Sequence, residues 1–160
     1  MSDAYEEIIQ MEAYHRLPPS LGHEILVGRL HRLVADAIPL NSLFRLQPPR
    51  TELHLDESNT VRPDLTVIRA PPGEAAQLYL VAEVLEPGDH HVDTVIKKQL
   101  WADARLPRFW MVDPRYLNVE VYGCGEYGFT LGDILAHHHP LTDPHLPGLN
   151  CPMEVLFARL

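Results

Sequence analysis

Two acids and two lysines define the chemistry open to this chain of 160 residues. Asp64 follows Pro63 in an apolar stretch. Glu83 stands inside Tyr79-Leu80-Val81-Ala82-Glu83-Val84-Leu85, and Lys97 and Lys98, the only lysines, lie between Asp93 and Trp101. An ionised carboxylate in so apolar a run is costly unless it is paired, hydrogen-bonded or bound to a cation. Mg2+ takes hard oxygen ligands, commonly one or two carboxylates with waters and a substrate phosphate. Asp64, Glu83 and the backbone carbonyl of Val84 can supply that half-shell if the strands carrying them are neighbours. Acids that hold a hard cation, with an amine beside them, are the parts of a metal-dependent phosphodiesterase. In a strand, residues i and i+2 share a face. The residue two after Glu83 is Leu85, so the amine must come from the following helix. Lys97 and Lys98 differ by about 100° around a helix axis, and only one can point at Glu83. Lys97 shares a face with Asp93 and Trp101, and Lys98 with Thr94. Singly, each residue has a plain structural account: turn chemistry for Asp64, an ion pair for Glu83, a solvated face for the lysines.

The elements that must position these groups follow from periodicity. Residues 3 to 17 fit a helix or a short strand or hairpin, ended by Pro18 and Pro19. Ser20 is a fair N-cap, and Leu26, Val27, Leu30, Leu33, Val34, Ala37 and Ile38 recur at helical spacing over 21–38, closed by Pro39. His23 falls near the edge of that helix's buried face. Short alternation at 43–46 and 51–55 predicts strands, and 56–59 a turn. The segment 61–68 reads as one strand with Pro63 near its start. Residues 78–85 read as a strand buried on both faces. A helix spans 92–104 with Ile96, Leu100 and Ala104 on one side, then 108–112 is another buried strand. Residues 117–122 and 126–131 form a hairpin turning at Gly123-Cys124-Gly125. A His-rich polar turn precedes a C-terminal segment, 153–160, with helical character. No internal repeat or linker divides the chain. The order predicts one α/β or α+β domain over residues 1–160 with a mixed central sheet flanked by helices.

The totals narrow the partners. The chain is 46% hydrophobic and 22% charged, has no apolar run long enough to span a bilayer, and lacks a basic, apolar leader at Met1-Ser2-Asp3. A cytoplasmic location without membrane association is expected. Cys124 and Cys151 have neither CxxC nor zinc-type spacing and read as reduced, structural cysteines. The net charge of −9 repels nucleic acid at long range and predicts weak DNA binding. Acids that bind a divalent cation inflate that count, and eleven of the thirteen basic residues are Arg, the better phosphate fork.

Pro63-Asp64, Glu83-Val84-Leu85-Glu86-Pro87, Asp93-x-x-x-Lys97-x-x-x-Trp101-Ala102 and Leu106-Pro107-Arg108-Phe109-Trp110-Met111-Val112-Asp113-Pro114 together resemble the Uma-type restriction endonucleases of the PD-(D/E)XK nuclease superfamily. Pro19-Ser20-Leu21-Gly22-His23 resembles that family's entry to its first helix, and Leu146-Pro147-Gly148-Leu149 its C-terminal signature. Glu86 stands where the family usually has Ser, and Trp101 where it has Tyr. The resemblance implies a restriction-endonuclease-like fold, hydrolysis of DNA phosphodiester bonds with Mg2+ (or Mn2+), and a homodimer. It implies metal-ligand roles for Asp64 and Glu83 and places the active-site lysine, moved from strand to helix, at Lys97. In the same resemblance Asp93 becomes a lysine-orienting group and His23 the helix's contribution to the site. The family's N-terminal hairpin, with a Glu and a Gly, has no plain counterpart before Pro18: either Glu7 or Glu12 replaces that Glu, or the site is incomplete. Lys97→Ala is expected to abolish cleavage with little loss of fold, and Lys98→Ala to be mild.

Other constellations are weaker. His137-His138-His139 with Asp143 and His145 can be drawn around a transition metal, but three successive histidines cannot all face one ion, and a solvated loop is the plainer account. His90-His91 borders the proposed site and also fits a polar turn. Trp101 and Trp110 read as core. Two further functions stay open: a nuclease-fold binding or assembly protein without catalysis, and a small metal- or partner-binding protein that uses the histidine loop.

Overall fold

The computed structural model describes residues 3–89 and 91–160. Residues 3 to 17 resolve as a hairpin: β1 (Tyr5–Ile9) and β2 (Glu12–Arg16) pair antiparallel, with Tyr5 opposite Arg16 and Glu7 opposite Tyr14. The turn at Gln10 and Met11 takes positive φ at both residues, the twist that suits a two-residue hairpin loop. Helix α1 (Leu21–Ala37) follows, with the Ser20 side chain accepting from the backbone N–H of His23. Then come β3 (Phe44–Leu46), β4 (Leu53–Asp56), β5 (Asn59–Val61), β6 (Leu65–Arg69) and β7 (Gln77–Val84). A π-helical turn, Val92–Lys97, runs into α2 (Lys98–Asp103). After it come β8 (Arg108–Asp113), β9 (Asn118–Gly125), β10 (Gly128–Ala136), β11 (Pro140–Asp143), β12 (Leu146–Pro152) and α3 (Met153–Leu156).

The main sheet has the order β10-β9-β8-β7-β6-β3 and is mixed. β7 and β8 run parallel, joined by the π turn and α2, and the other pairs are antiparallel. Alternation along β7 divides its side chains between two cores. Leu80, Ala82 and Val84 pack with Leu26, Leu30 and Val34 of α1 and with the β11–β12 hairpin. Val81 and Leu85 turn the other way, against Trp101, Phe109 and Met111. Glu83 alternates with Val81 and Leu85 and so belongs to the α2 face. A second, antiparallel sheet of order β2-β1-β5-β4 contributes Ile9 and Val61 to that same core. No helix among the described residues is long and apolar enough to cross a membrane.

Several boundaries differ from those read in the sequence, each for a local reason. The single strand expected over 61–68 is two strands in two different sheets, β5 and β6. Pro63 has no N–H for a ladder, and Arg62-Pro63-Asp64 becomes the crossing between sheets. The β9–β10 turn falls at Glu126 and Tyr127, not at Gly123-Cys124-Gly125. Gly125 lies within β9, where a Cβ would come within 2.5 Å of the Thr130 hydroxyl, so its small size serves close strand approach. On the helix expected at 92–104, the buried stripe is Asp93, Lys97 and Trp101, whereas Ile96 and Leu100 are half-buried and Ala104 is exposed. The free cysteines differ: Cys151 is buried and Cys124 exposed.

Candidate active site

Asp64, Glu83 and Lys97 come together where the two sheets meet. Asp64 immediately precedes β6, whose first residue, Leu65, pairs with Ala82. This register sets Asp64 beside the end of β7, and its Oδ2 accepts the backbone N–H of Val84 at 2.8 Å. Lys97 reaches the Glu83 carboxylate from the π turn, with Nζ 2.5 Å from Oε1. All three side chains are buried; Lys97 has no exposed surface. A π turn carries one extra residue per turn, which fixes the rotational position of Lys97 on that helix.

The N-terminal hairpin completes the site with groups that the sequence reading either left open or missed. Glu7, not Glu12, is the hairpin acid that enters: Glu7 is fully buried and Glu12 exposed. Glu7 Oε1 accepts from Lys97 Nζ and from the backbone N–H of Arg62, both at 2.8 Å. Its Oε2 accepts from Arg16 at 2.6 Å. Arg16 donates in turn to both oxygens of Asp93, at 2.9 and 3.0 Å, and Asp93 Oδ1 lies 4.0 Å from Lys97 Nζ. Arg16 is absent from any motif, and its signal was only that a basic residue ends a short alternating segment. Arg50 was missed as well. It has a positive φ after Pro48-Pro49 and bridges Asp64 Oδ1 (3.1 Å) and Glu24 Oε1 (2.5 Å).

His23, from the first turn of α1, places Nε2 3.2 Å from Asp64 Oδ2 and 3.0 Å from the Val84 carbonyl oxygen. Lys98 points elsewhere: its Nζ donates to the Tyr122 hydroxyl at 3.1 Å and lies over that ring. His91 is exposed, and its neighbour His90 lies outside the described residues, as do Met1 and Ser2. His137, His138 and His139 form an exposed turn. Asp143 accepts the Tyr79 hydroxyl, and His145 stacks on Phe44, so the proposed histidine metal set is divided between different contacts. Trp101 and Trp110 are core.

The charges settle unevenly. Burial favours the neutral form of Glu7, but Lys97 and Arg16 hold its carboxyl below the usual carboxylate range. Asp64 is likewise buried, and the His23 and Val84 hydrogen bonds hold it low. Burial raises Glu83 well above the ordinary value, and the acids around it add to the rise against the pull of Lys97. Burial lifts Asp93 to about 6. Burial alone would strip the proton from Lys97, yet Glu7, Glu83 and Asp93 keep its pKa above that of a free lysine. The nitrogen is therefore an ammonium at neutral pH, suited to stabilising negative charge. Its burial also alters one expectation: removing Lys97 leaves buried Glu83 without its cation and Glu7 with Arg16 as its remaining cation partner, so fold stability falls together with any activity.

Among the described residues, no three His, Cys, Asp or Glu side chains surround a single point. A cation here would need a backbone ligand, and one is present. His23 Nε2 keeps 3.0 and 3.2 Å from the Val84 and Asp64 oxygens. Asp64, Glu83 and the Val84 carbonyl are hard oxygen donors, the chemistry that a divalent ion such as Mg2+ takes; in this structure Asp64 and Val84 face His23, and Glu83 faces Lys97.

A mixed sheet with acids at the ends of adjoining strands and an ammonium from the crossover helix defines a restriction-endonuclease-like fold. The crystal structure titled "a putative nuclease belonging to DUF820", from Anabaena variabilis ATCC 29413, superimposes with a TM-score of 0.78. That match covers 98% of this chain and 92% of the other at 14% identity, a likeness of fold. The sequence pattern of the family described as "Uma2: Putative restriction endonuclease" matches residues 4–154, and the chain belongs to that family. No curated protein matches it.

Proposed function

We propose that this chain is a Mg2+- or Mn2+-dependent endonuclease that hydrolyses DNA phosphodiester bonds. The observation that carries the reading is the contact of Lys97 with Glu83, one residue before the Val84 amide that holds Asp64. Asp64, Glu83 and the Val84 carbonyl would hold the cation. When bound, it supplies Lewis-acid polarisation of the phosphate and a water of lowered pKa. The chain's own groups do the rest. The Lys97 ammonium offsets negative charge as it develops on the phosphoryl oxygens. Glu7 fixes the direction of Lys97, and Arg16 fixes both Glu7 and Asp93. His23 keeps a proton-bearing nitrogen against Asp64 and Val84. The test is cleavage of plasmid and single-stranded DNA with Mg2+ or Mn2+. Asp64→Asn, Glu83→Gln and Lys97→Met are expected to lose cleavage. Lys97→Met is also expected to lose about 3–5 kcal/mol in urea unfolding, the cost of breaking a buried pair, whereas Lys98→Ala stays within about 1 kcal/mol. Cleavage retained by any of the three site variants refutes the assignment. Sedimentation of the same sample reports on the homodimer that the family resemblance implies.

The complete burial of Lys97 and Glu83 and the net charge of −9 favour a second reading, a nuclease-fold protein that binds without cleaving. Metal binding that is lost in Asp64→Asn, with no DNA cut by the wild type, selects that reading.

A further inference from the structure

One cleft beside the site is used by none of these roles. It has a volume of about 340 Å3, within the range of small-molecule sites. It runs along the outside of the π turn and α2, across the ends of the parallel strands β7 and β8. Lys98 and Thr94 line one wall, each next in sequence to a buried site residue, and Leu85 and Met111 provide apolar surface. At the mouth stand Arg115 and Tyr116. Tyr116 is 70% exposed. The Arg115 guanidinium lies 5.3 Å from its ring centroid and is held from behind by Asp113, with NH2 2.9 Å from Oδ2. A second cleft of about 250 Å3, which includes His23, shares Leu85 and Arg115 with the first. The two clefts therefore adjoin, one beside His23 and the other beside Tyr116.

We infer that this cleft is a subsite for one unstacked nucleotide of a single strand, adjoining the bond presented to Asp64, Glu83 and Lys97. The base lies on Tyr116, and its phosphate sits between Lys98 and Arg115. Aromatic faces beside cations are how single strands are held without sequence preference. The lining also holds two acids: Asp113 pairs with Arg115, and Glu120 accepts from the Tyr122 hydroxyl, so stacking on Tyr116 supplies more of the affinity than charge does. Lys98 is held in place by the Tyr122 hydroxyl and ring. The inference rests on the nuclease reading for its substrate, but its test does not require cleavage.

The test is fluorescence anisotropy of a labelled six-nucleotide oligothymidylate with the full chain, in parallel with the cleavage assay. Tyr116→Ala is expected to weaken binding about tenfold, within the range for loss of one base–aromatic stack. Tyr116→Phe keeps the ring face and restores binding. Tyr127→Ala, at the exposed β9–β10 turn, leaves it unchanged. Lys98→Ala weakens binding and flattens its salt dependence. Equal binding by wild type and Tyr116→Ala overturns the subsite, as does the absence of oligonucleotide binding by the wild type. Tighter duplex binding that is indifferent to Tyr116 also overturns it. Binding that depends on Tyr116 without any cleavage upholds the subsite and rejects the nuclease reading instead.

Discussion

At the scale of single residues, the site is a buried row of alternating charge: Asp93, Arg16, Glu7, Lys97, Glu83. Arg16 touches Glu7 and Asp93, and Lys97 touches Glu7 and Glu83 with Asp93 at 4.0 Å. Asp93 shows the consequence most clearly, since burial lifts its carboxyl to about 6 from 3.8. A group whose folded value is raised binds its proton more tightly when folded. Its contribution is therefore greatest below the unfolded value and is lost as pH rises through the folded one. For Asp93 that window is from about 4 to about 6. The stability of the wild type relative to Asp93→Asn should fall across this window by something on the order of 3 kcal/mol, at about 1.4 kcal/mol per unit. Above pH 7 the difference should be flat. Urea unfolding of both proteins from pH 4 to pH 8 measures it, and a difference that grows in the wild type's favour with pH would invert the assignment. Asp64, Glu83 and Lys97 were legible in the sequence because each breaks a local pattern: carboxylates in apolar runs, an amine one helical turn from both Asp93 and Trp101. Arg16 and Arg50 break none. Their roles come from partners 77 and 14 residues away, a kind of pairing that no local spacing reports.

At the scale of elements, the π turn is the part that periodicity did not predict and on which the site most depends. A helix over 92–104 was legible from its ends. Which residues it buries was not, because apolar Ile96 and Leu100 suggested one face while Asp93, Lys97 and Trp101 occupy the core. Charged residues fill a buried stripe here because the β1–β2 hairpin and β7 bring Arg16, Glu7 and Glu83 to meet them, and those pairings are tertiary. The hairpin itself was ambiguous for a related reason: Glu7 is fully buried in β1, so its alternation is not apolar against polar. Removing one residue from a π turn returns it to α spacing and rotates the downstream residues by about 100° relative to the upstream ones. Deletion of exposed Val95 should therefore swing Lys97 away from Glu83 or Asp93 away from Arg16. The expected outcome is loss of cleavage with the far-ultraviolet circular dichroism of a folded α+β protein. Full activity in the deletion would show that the extra residue has no part in placing the lysine.

At the scale of the whole molecule, charge and fold pull in different directions. The fold is that of a nuclease family, and the proposed cation seat lies at the junction of two sheets, yet the chain's net charge of −9 works against approach of a polyanion. A nucleic-acid protein that binds through diffuse positive charge releases many counterions, and its affinity falls steeply with salt. This chain has little of that to lose, since several of its arginines are bound to acids. Arg16 faces Glu7 and Asp93, Arg50 faces Asp64 and Glu24, and Arg62 faces Glu52. If a strand is held with one phosphate between Lys98 and Arg115, which is itself paired with Asp113, about one phosphate is neutralised. The slope of log K against log salt for a single strand should then be near about −0.7. Anisotropy titrations between roughly 50 and 200 mM salt give the slope directly, and Lys98→Ala should flatten it. A slope steeper than about −3 would mean that four or more phosphates are engaged, and that binding runs over a surface other than the cleft at Tyr116.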